Sequence, residues 1–71
     1  MSKKPRCELG KEIEKRLVDI DQNQKWLIDS VRDDTGMFFD GSYLHKILTG
    51  KHRTPSIVTS ICKILNIKNP Y

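Results

Sequence analysis

The sequence of 71 residues predicts an all-α protein, because apolar residues recur at steps of three and four and helix-capping residues precede them. No segment shows a convincing strand pattern. Leu, Ile, Val and Phe make up about a quarter of the residues, which is enough for one small domain with a thin core. We expect a flexible basic arm over residues 1–7 and a helical domain over residues 8–71.

The first two helices are predicted on either side of a short polar break. Residues 8–20 form the first, with four apolar side chains on one face: Leu9, Ile13, Leu17 and Ile20. Asp21 or Asn23 can accept a hydrogen bond from the free amides that begin a second helix over about 24–32. Its apolar side comprises Leu27, Ile28 and Val31.

An extended loop is predicted over residues 33–41. Asp-Asp-Thr-Gly directly after Arg32 is a strong turn signal, and the apolar Met-Phe-Phe that follows is too short for a helix of its own. Phe38 and Phe39 either fill space in the core or contact a second subunit.

The third helix is expected over about 42–49. Ser42 or Asp40 can cap it, and its apolar stripe comprises Leu44, Ile47 and Leu48. Gly50 suits the position after the helix, because a residue without a Cβ takes the left-handed conformation at little steric cost.

The fourth helix is expected to begin at Pro55, with Thr54 as its cap, and to end near Asn66. Its apolar residues again share one face: Ile57, Ile61, Ile64 and Leu65. Cys62 falls in this apolar stripe and is predicted to be a small core residue.

The charges are segregated along the chain. All nine acidic residues lie at or before Asp40, whereas residues 41–71 contain five Lys and Arg residues and no acid. Such a cationic half favours an anionic partner, with nucleic acid first and a membrane surface second. No apolar run approaches the roughly 20 residues that span a bilayer, and no secretory leader is visible. We therefore expect a cytoplasmic protein without a membrane partner.

Catalytic and metal-binding patterns are weak. The two cysteines and two histidines are Cys7, His45, His52 and Cys62. Their spacing is not that of zinc ligands, so no metal or cofactor is expected. Both histidines stand beside cationic residues, and neither Ser42 nor Ser56 has a recognisable base and orienting acid. The sequence thus predicts a protein that is not an enzyme.

The outward side of the third helix carries the strongest functional signal. Burial of its apolar stripe leaves hydroxyl, phenol, imidazole and ammonium groups outside, on Ser42, Tyr43, His45, Lys46 and Thr49. These groups suit base edges and phosphates in a DNA major groove. The adjoining basic loop of Lys51, His52 and Arg53 would lie beside the sugar-phosphate backbone, where cationic contacts supply affinity. An ordinary polar helix face that happens to lack acids is the alternative.

Three motifs occur in a characteristic order: Asn23 to Leu27 at the start of the second helix, Ser42 to Gly50 in the third, and Pro55 with Ile61 and Leu65 in the fourth. With these motifs, the segment from Gly10 to Ile67 resembles the Cro/C1-type helix-turn-helix family, the lambda-repressor-like or XRE domains. The resemblance implies a four- to five-helix DNA-binding domain. The predicted loop over 33–41 is longer than the family's short turn.

The resemblance also implies roles for individual residues. Ser42 and Lys46 fall on positions that the family uses for base edges. Contacts to the DNA backbone are implied for Gln24, with Lys25 beside it, and for Tyr43 and Thr49. Structural roles stay open for Gln24 as a helix-start residue, for Tyr43 as an aromatic at the core edge and for His45 as a solvated side chain.

The function implied is that of a small repressor-like transcriptional regulator, related to a phage or mobile element, without a small-molecule effector domain. We expect double-stranded DNA as its partner and a homodimer at least on DNA, because paired recognition helices lengthen the site that is read. The 33–40 loop and the C-terminal segment are the candidate dimer surfaces. Two alternatives stay open: an antitoxin-like protein-interaction module, and an architectural or excision factor of a mobile element.

Overall fold

A computed structural model describes residues 7–71, which form four α-helices and no strand. The helices are α1 (Glu8–Asp19), α2 (Gln24–Thr35), α3 (Gly41–Leu48) and α4 (Pro55–Leu65). The prediction of an all-α protein is confirmed. Within the described residues, no helix has both the length and the apolar character needed to cross a bilayer.

The basic arm predicted over residues 1–7 lies outside the described residues, except for Cys7. This residue is the N-cap of α1, where its Sγ accepts a hydrogen bond from the amide of Gly10 at 3.4 Å. The Cys7 amide donates to the carbonyl of Leu48 at 3.0 Å. Cys7 is therefore fastened to the end of α3 and belongs to the helical domain.

Helix α2 is longer than the sequence predicts. Its N-cap is Asn23, whose side-chain Oδ1 accepts a hydrogen bond from the Trp26 amide at 2.8 Å. The helix continues through Thr35 and ends at Gly36, which has the left-handed φ of 67° that favours glycine. The extended loop over 33–41 is thus wrong in extent, because residues 33–35 form the last turn of α2 and only 36–40 connect it to α3.

The boundaries of α3 and α4 lie close to those predicted. Asp40, rather than Ser42, caps α3: its Oδ1 accepts from the Tyr43 amide at 2.8 Å. Gly50 follows α3 with a left-handed φ of 81°, as predicted. Thr54 precedes α4 without a capping hydrogen bond from its side chain.

The core lies between the apolar faces of all four helices, and the predicted stripes supply most of it. Phe39, from the connection between α2 and α3, is fully buried there. Cys62 is buried in the same core, which confirms its predicted structural position. The buried apolar residues from the helices are Leu9, Ile13, Leu17, Leu27, Val31, Leu44, Ile47, Leu48, Ile57, Val58, Ile61, Cys62 and Leu65.

Helix α1 holds both α3 and α4. At Gly10 the backbone of α1 passes so close to α3 that an added Cβ would lie 2.1 Å from the Leu48 carbonyl oxygen. A side chain at this position would collide with backbone, so the close approach requires glycine. Farther along α1, the Arg16 Nε donates to the Leu65 carbonyl at 2.9 Å and satisfies an acceptor at the end of α4.

Candidate nucleic-acid interface

The outward side of α3 presents three exposed polar side chains, Ser42, His45 and Lys46. They face outward because the opposite side of the helix, with Leu44 and Ile47, is completely buried. No acidic residue lies within α3. Among residues 7–71, none forms a hydrogen bond or ion pair with the Lys46 ammonium group. These groups are therefore available to an external partner.

Tyr43 lies at the edge of the core, which agrees with the structural role left open for it by the sequence. Its ring is tilted against the buried Phe39, with the ring centroids 5.2 Å apart. The centroid of the His52 ring lies 5.5 Å from that of the Tyr43 ring. The Tyr43 hydroxyl also pairs with Thr54 Oγ1 at 2.5 Å. Tyr43 therefore joins α3 to the segment before α4, and its hydroxyl already has a partner within the protein.

Thr49 has a comparable local role at the end of α3. Its Oγ1 donates to the His45 carbonyl at 3.1 Å and lies 3.4 Å from the Lys46 carbonyl. Both carbonyls also accept hydrogen bonds from backbone amides that follow the helix. The Thr49 hydroxyl is thus an additional donor at the helix end, and its side chain is only half-exposed.

The basic loop after α3 is bound to the last turn of that helix. The amides of Lys51 and His52 donate to the Lys46 carbonyl at 2.8 and 3.2 Å. The side chains of Lys51, His52 and Arg53 are all exposed. The Arg53 guanidinium lies 4.8 Å above the ring of Tyr71, within the range of a cation–π contact. The structure therefore brings this loop and the outward side of α3 together.

The two site residues predicted on α2 lie at its beginning and are exposed. Gln24 is the first residue of the helix. Lys25 forms an ion pair with Asp29 one turn later, at 3.4 Å. Both members of this pair are largely exposed, so its contribution to stability is small.

Lys63 belongs to residues 41–71, which contain no acid, but the fold pairs it with an acidic residue of α2. Its Nζ donates to Asp34 Oδ1 at 2.9 Å, while the hydroxyl of Ser60 donates to Asp34 Oδ2 at 2.7 Å. These hydrogen bonds, that from Lys63 foremost, lower the pKa of the Asp34 carboxyl below its ordinary value of 3.8. This cluster fastens α2 to α4 and removes one cation from the set expected to attract an anion.

A small cleft opens at the beginning of α3, with a volume of about 170 Å³. The connection from α2, the helix itself and the basic loop all contribute to its lining: Phe38, Asp40, Ser42, Tyr43, Lys46 and His52. Phe38 was not among the predicted DNA-binding residues. The only signal for it in the sequence is the pair of adjacent phenylalanines, which does not tell which ring is buried.

The described residues offer little for other chemistry. Within 7–71, no three His, Cys, Asp or Glu side chains come together in a way that could hold a metal ion. Cys62 is enclosed in the core, and this burial raises the pKa of its thiol. Comparison of the chain with protein-family models, curated proteins and solved structures gives no match in any of the three.

Proposed function

We propose that this protein binds double-stranded DNA sequence-specifically, with α3 in the major groove, as a small Cro/C1-type repressor-like regulator. The observation that carries the proposal is the outward side of α3, where Ser42, His45 and Lys46 are exposed on a helix without acids. The Lys46 ammonium has no partner among the described residues. An anionic surface with hydrogen-bonding base edges satisfies all three groups together.

The shape of α3 supports this role. An α-helix with its side chains is about 10–12 Å across, and the major groove of B-DNA is about 12 Å wide. Helix α3 is seated on the core by Leu44, Ile47 and Leu48, so its position relative to the rest of the domain is fixed before binding. Pre-positioned side chains lose less entropy on binding.

The basic loop supplies the affinity that does not depend on sequence. Lys51, His52 and Arg53 are exposed next to the end of α3, where the groove wall would lie. Cationic contacts to phosphates release counterions and strengthen binding to every duplex. Gln24 and Lys25, at the beginning of α2, are the further backbone contacts in this proposal.

A homodimer completes the proposal. A single short helix reads few base pairs, and two recognition helices one DNA turn apart would read a symmetric site. We propose a cytoplasmic regulator related to a phage or mobile element, in keeping with the family resemblance.

The decisive experiment selects bound duplexes from a random pool and then compares Lys46→Ala with Lys63→Ala. Lys46→Ala is expected to relax the preference at one or two positions of the selected site, with a loss of about 1 to 3 kcal/mol on the best sequence. Lys63→Ala removes the same charge, but from a residue held by Asp34, and should leave the preference unchanged. Equal effects of the two substitutions would show that α3 does not read bases through Lys46.

The same selection tests the two other candidate functions. Met37 and Phe38 are 41% and 73% exposed, and such apolar exposure favours a protein-interaction module. That function predicts no enrichment of any duplex and early elution from a DNA column at low salt. An architectural factor would retain DNA without a consensus sequence.

A further inference from the structure

Phe38 is a large apolar side chain displayed beside a polar surface. Its exposed fraction is 73%, whereas that of the adjacent Phe39 is 0%. Phe38 borders the cleft at the beginning of α3 together with Ser42 and Lys46, the two residues proposed to read bases. The exposed ring thus lies at the edge of the proposed DNA-binding surface.

The position of Phe38 is fixed by the two residues that follow it in the chain. Phe39 is anchored in the core and packs against Tyr43. Asp40, two residues on, is held as the cap of α3 by its hydrogen bond from the Tyr43 amide. With the backbone anchored this closely, presentation of the Phe38 ring costs little further ordering on binding.

The chemistry around the ring selects among possible partners. A purely apolar protein surface placed over the cleft would cover the Lys46 ammonium and the Ser42 hydroxyl without supplying them with partners, which is costly. A DNA base edge offers acceptors for these groups and lies next to anionic phosphates. Among the four bases, only thymine adds a methyl group on the major-groove side, and phenylalanine is one of the side chains that contact it.

We propose, on the basis of the proposed function, that Phe38 is a specificity-determining residue outside the recognition helix. Its ring contacts the 5-methyl group of a thymine next to the base pairs read by Ser42 and Lys46. The DNA sites preferred by this protein therefore contain a thymine at a fixed position in each half-site.

The test removes the methyl group from the DNA and the ring from the protein. Each thymine of the selected duplex is replaced in turn by uracil, which keeps the pairing and the hydrogen-bonding groups. For the unaltered protein, we expect one replacement per half-site to weaken binding about fourfold, the effect of exposing one methyl-sized group. Phe38→Ala should bind the thymine and uracil duplexes equally well at that position.

Val18→Ala is the matched control, because Val18 is an exposed apolar residue, 79% accessible, on α1. It should keep the full fourfold discrimination. If Phe38→Ala keeps the discrimination as well, this inference is overturned while the proposed DNA binding stands. If Phe38→Ala instead weakens every duplex equally and converts a dimer to a monomer in sedimentation, the ring is a subunit contact and the inference is equally overturned. Failure of the unaltered protein to select any duplex would overturn both proposals.

Discussion

Helices α2 and α3 are neighbours in the chain, but their outward surfaces differ in how far the protein itself satisfies them. On α2, Lys25 is paired with Asp29, and Asp34 accepts hydrogen bonds from Lys63 and Ser60 of α4. On α3, the exposed Lys46 has no such partner among the described residues. The fold pairs three charged residues of α2 internally, Lys25, Asp29 and Asp34, and leaves Lys46 of α3 for an external partner.

This difference narrows the surface that can attract an anion. Residues 41–71 contain no acid, so their charge alone suggests a uniformly cationic half. The structure divides that charge, because Lys63 is paired with Asp34 across the contact of α2 with α4. Lys46, Lys51 and Arg53 form the exposed cationic surface of α3 and the loop that follows it, while Lys68 is exposed near the C-terminus. Segregation along a sequence overstates segregation in space when helices from the two halves pack together.

The largest expected effect concerns how α3 is seated. The contact with α1 positions α3 against the core, and the two helices are closest where Gly10 approaches the Leu48 carbonyl. Gly10→Ala would place a Cβ 2.1 Å from that oxygen, so the two helices must move apart. We expect the free energy of unfolding to fall by about 3 kcal/mol, at the upper end for overpacked sites, measured by urea denaturation.

Gly41→Ala provides the matched control. Gly41 is the first residue of α3, and apart from its chain neighbours and the backbone of its own helix nothing among residues 7–71 lies within 4 Å of where its Cβ would be built. Alanine favours helix by up to about 1 kcal/mol over glycine, so the urea midpoint should stay unchanged or rise slightly. Similar losses for both substitutions would contradict the explanation from the α1 and α3 contact.

The next effect compares the contributions to DNA binding of two cations, Arg53 in the loop after α3 and Lys25 on α2. Arg53→Ala should weaken selected and scrambled duplexes by similar factors and lower the slope of log affinity against log salt by about 0.9 for each phosphate contact removed. Lys25→Ala should change the slope less, because the Lys25 charge is already offset by Asp29. Competition binding at several salt concentrations measures both slopes. A larger change for Lys25→Ala would reverse the contrast between α2 and α3.

Local sequence pattern was sufficient for much of the fold. The apolar spacing within each segment correctly placed the buried sides of the helices, and Gly50 marked the end of α3. The last turn of α2 was missed because Asp, Thr and Gly together favour a turn by local preference. Asp34 instead meets Ser60 and Lys63, which lie more than twenty residues along the chain. A contact of that range leaves no mark on the local pattern.

The candidate site was also predictable in part from the sequence. Once the buried stripe of α3 is known, Ser42, His45 and Lys46 must point outward, and they do so. The hydroxyl of Tyr43 was also counted as available, but Thr54 pairs with it. Which hydroxyls are free depends on the path of the loop after α3. Sequence spacing within the helix does not determine that path.

The smallest expected effect is a pH dependence of the link between α2 and α4. Because Lys63 and Ser60 lower the pKa of Asp34, the ionised carboxyl stabilises the fold above its unfolded pKa near 3.8, and this contribution is lost as the pH falls through the lower folded value. Asp34→Asn should therefore be slightly less stable than the unaltered protein at about pH 6 and lose less stability on acidification to about pH 3. Urea midpoints across this range measure the difference.

Asp33→Asn is the control for this pH effect, since Asp33 lies in the same turn and forms no ion pair with any residue in 7–71. Its acid-dependent loss should match that of the unaltered protein. If Asp34→Asn also followed the unaltered curve, the cluster of Asp34, Ser60 and Lys63 would not hold its charge in solution. Lys63 would then be as available to DNA as Lys46, and the contrast between the paired charges of α2 and Lys46 of α3, unpaired among residues 7–71, would lose its strongest support.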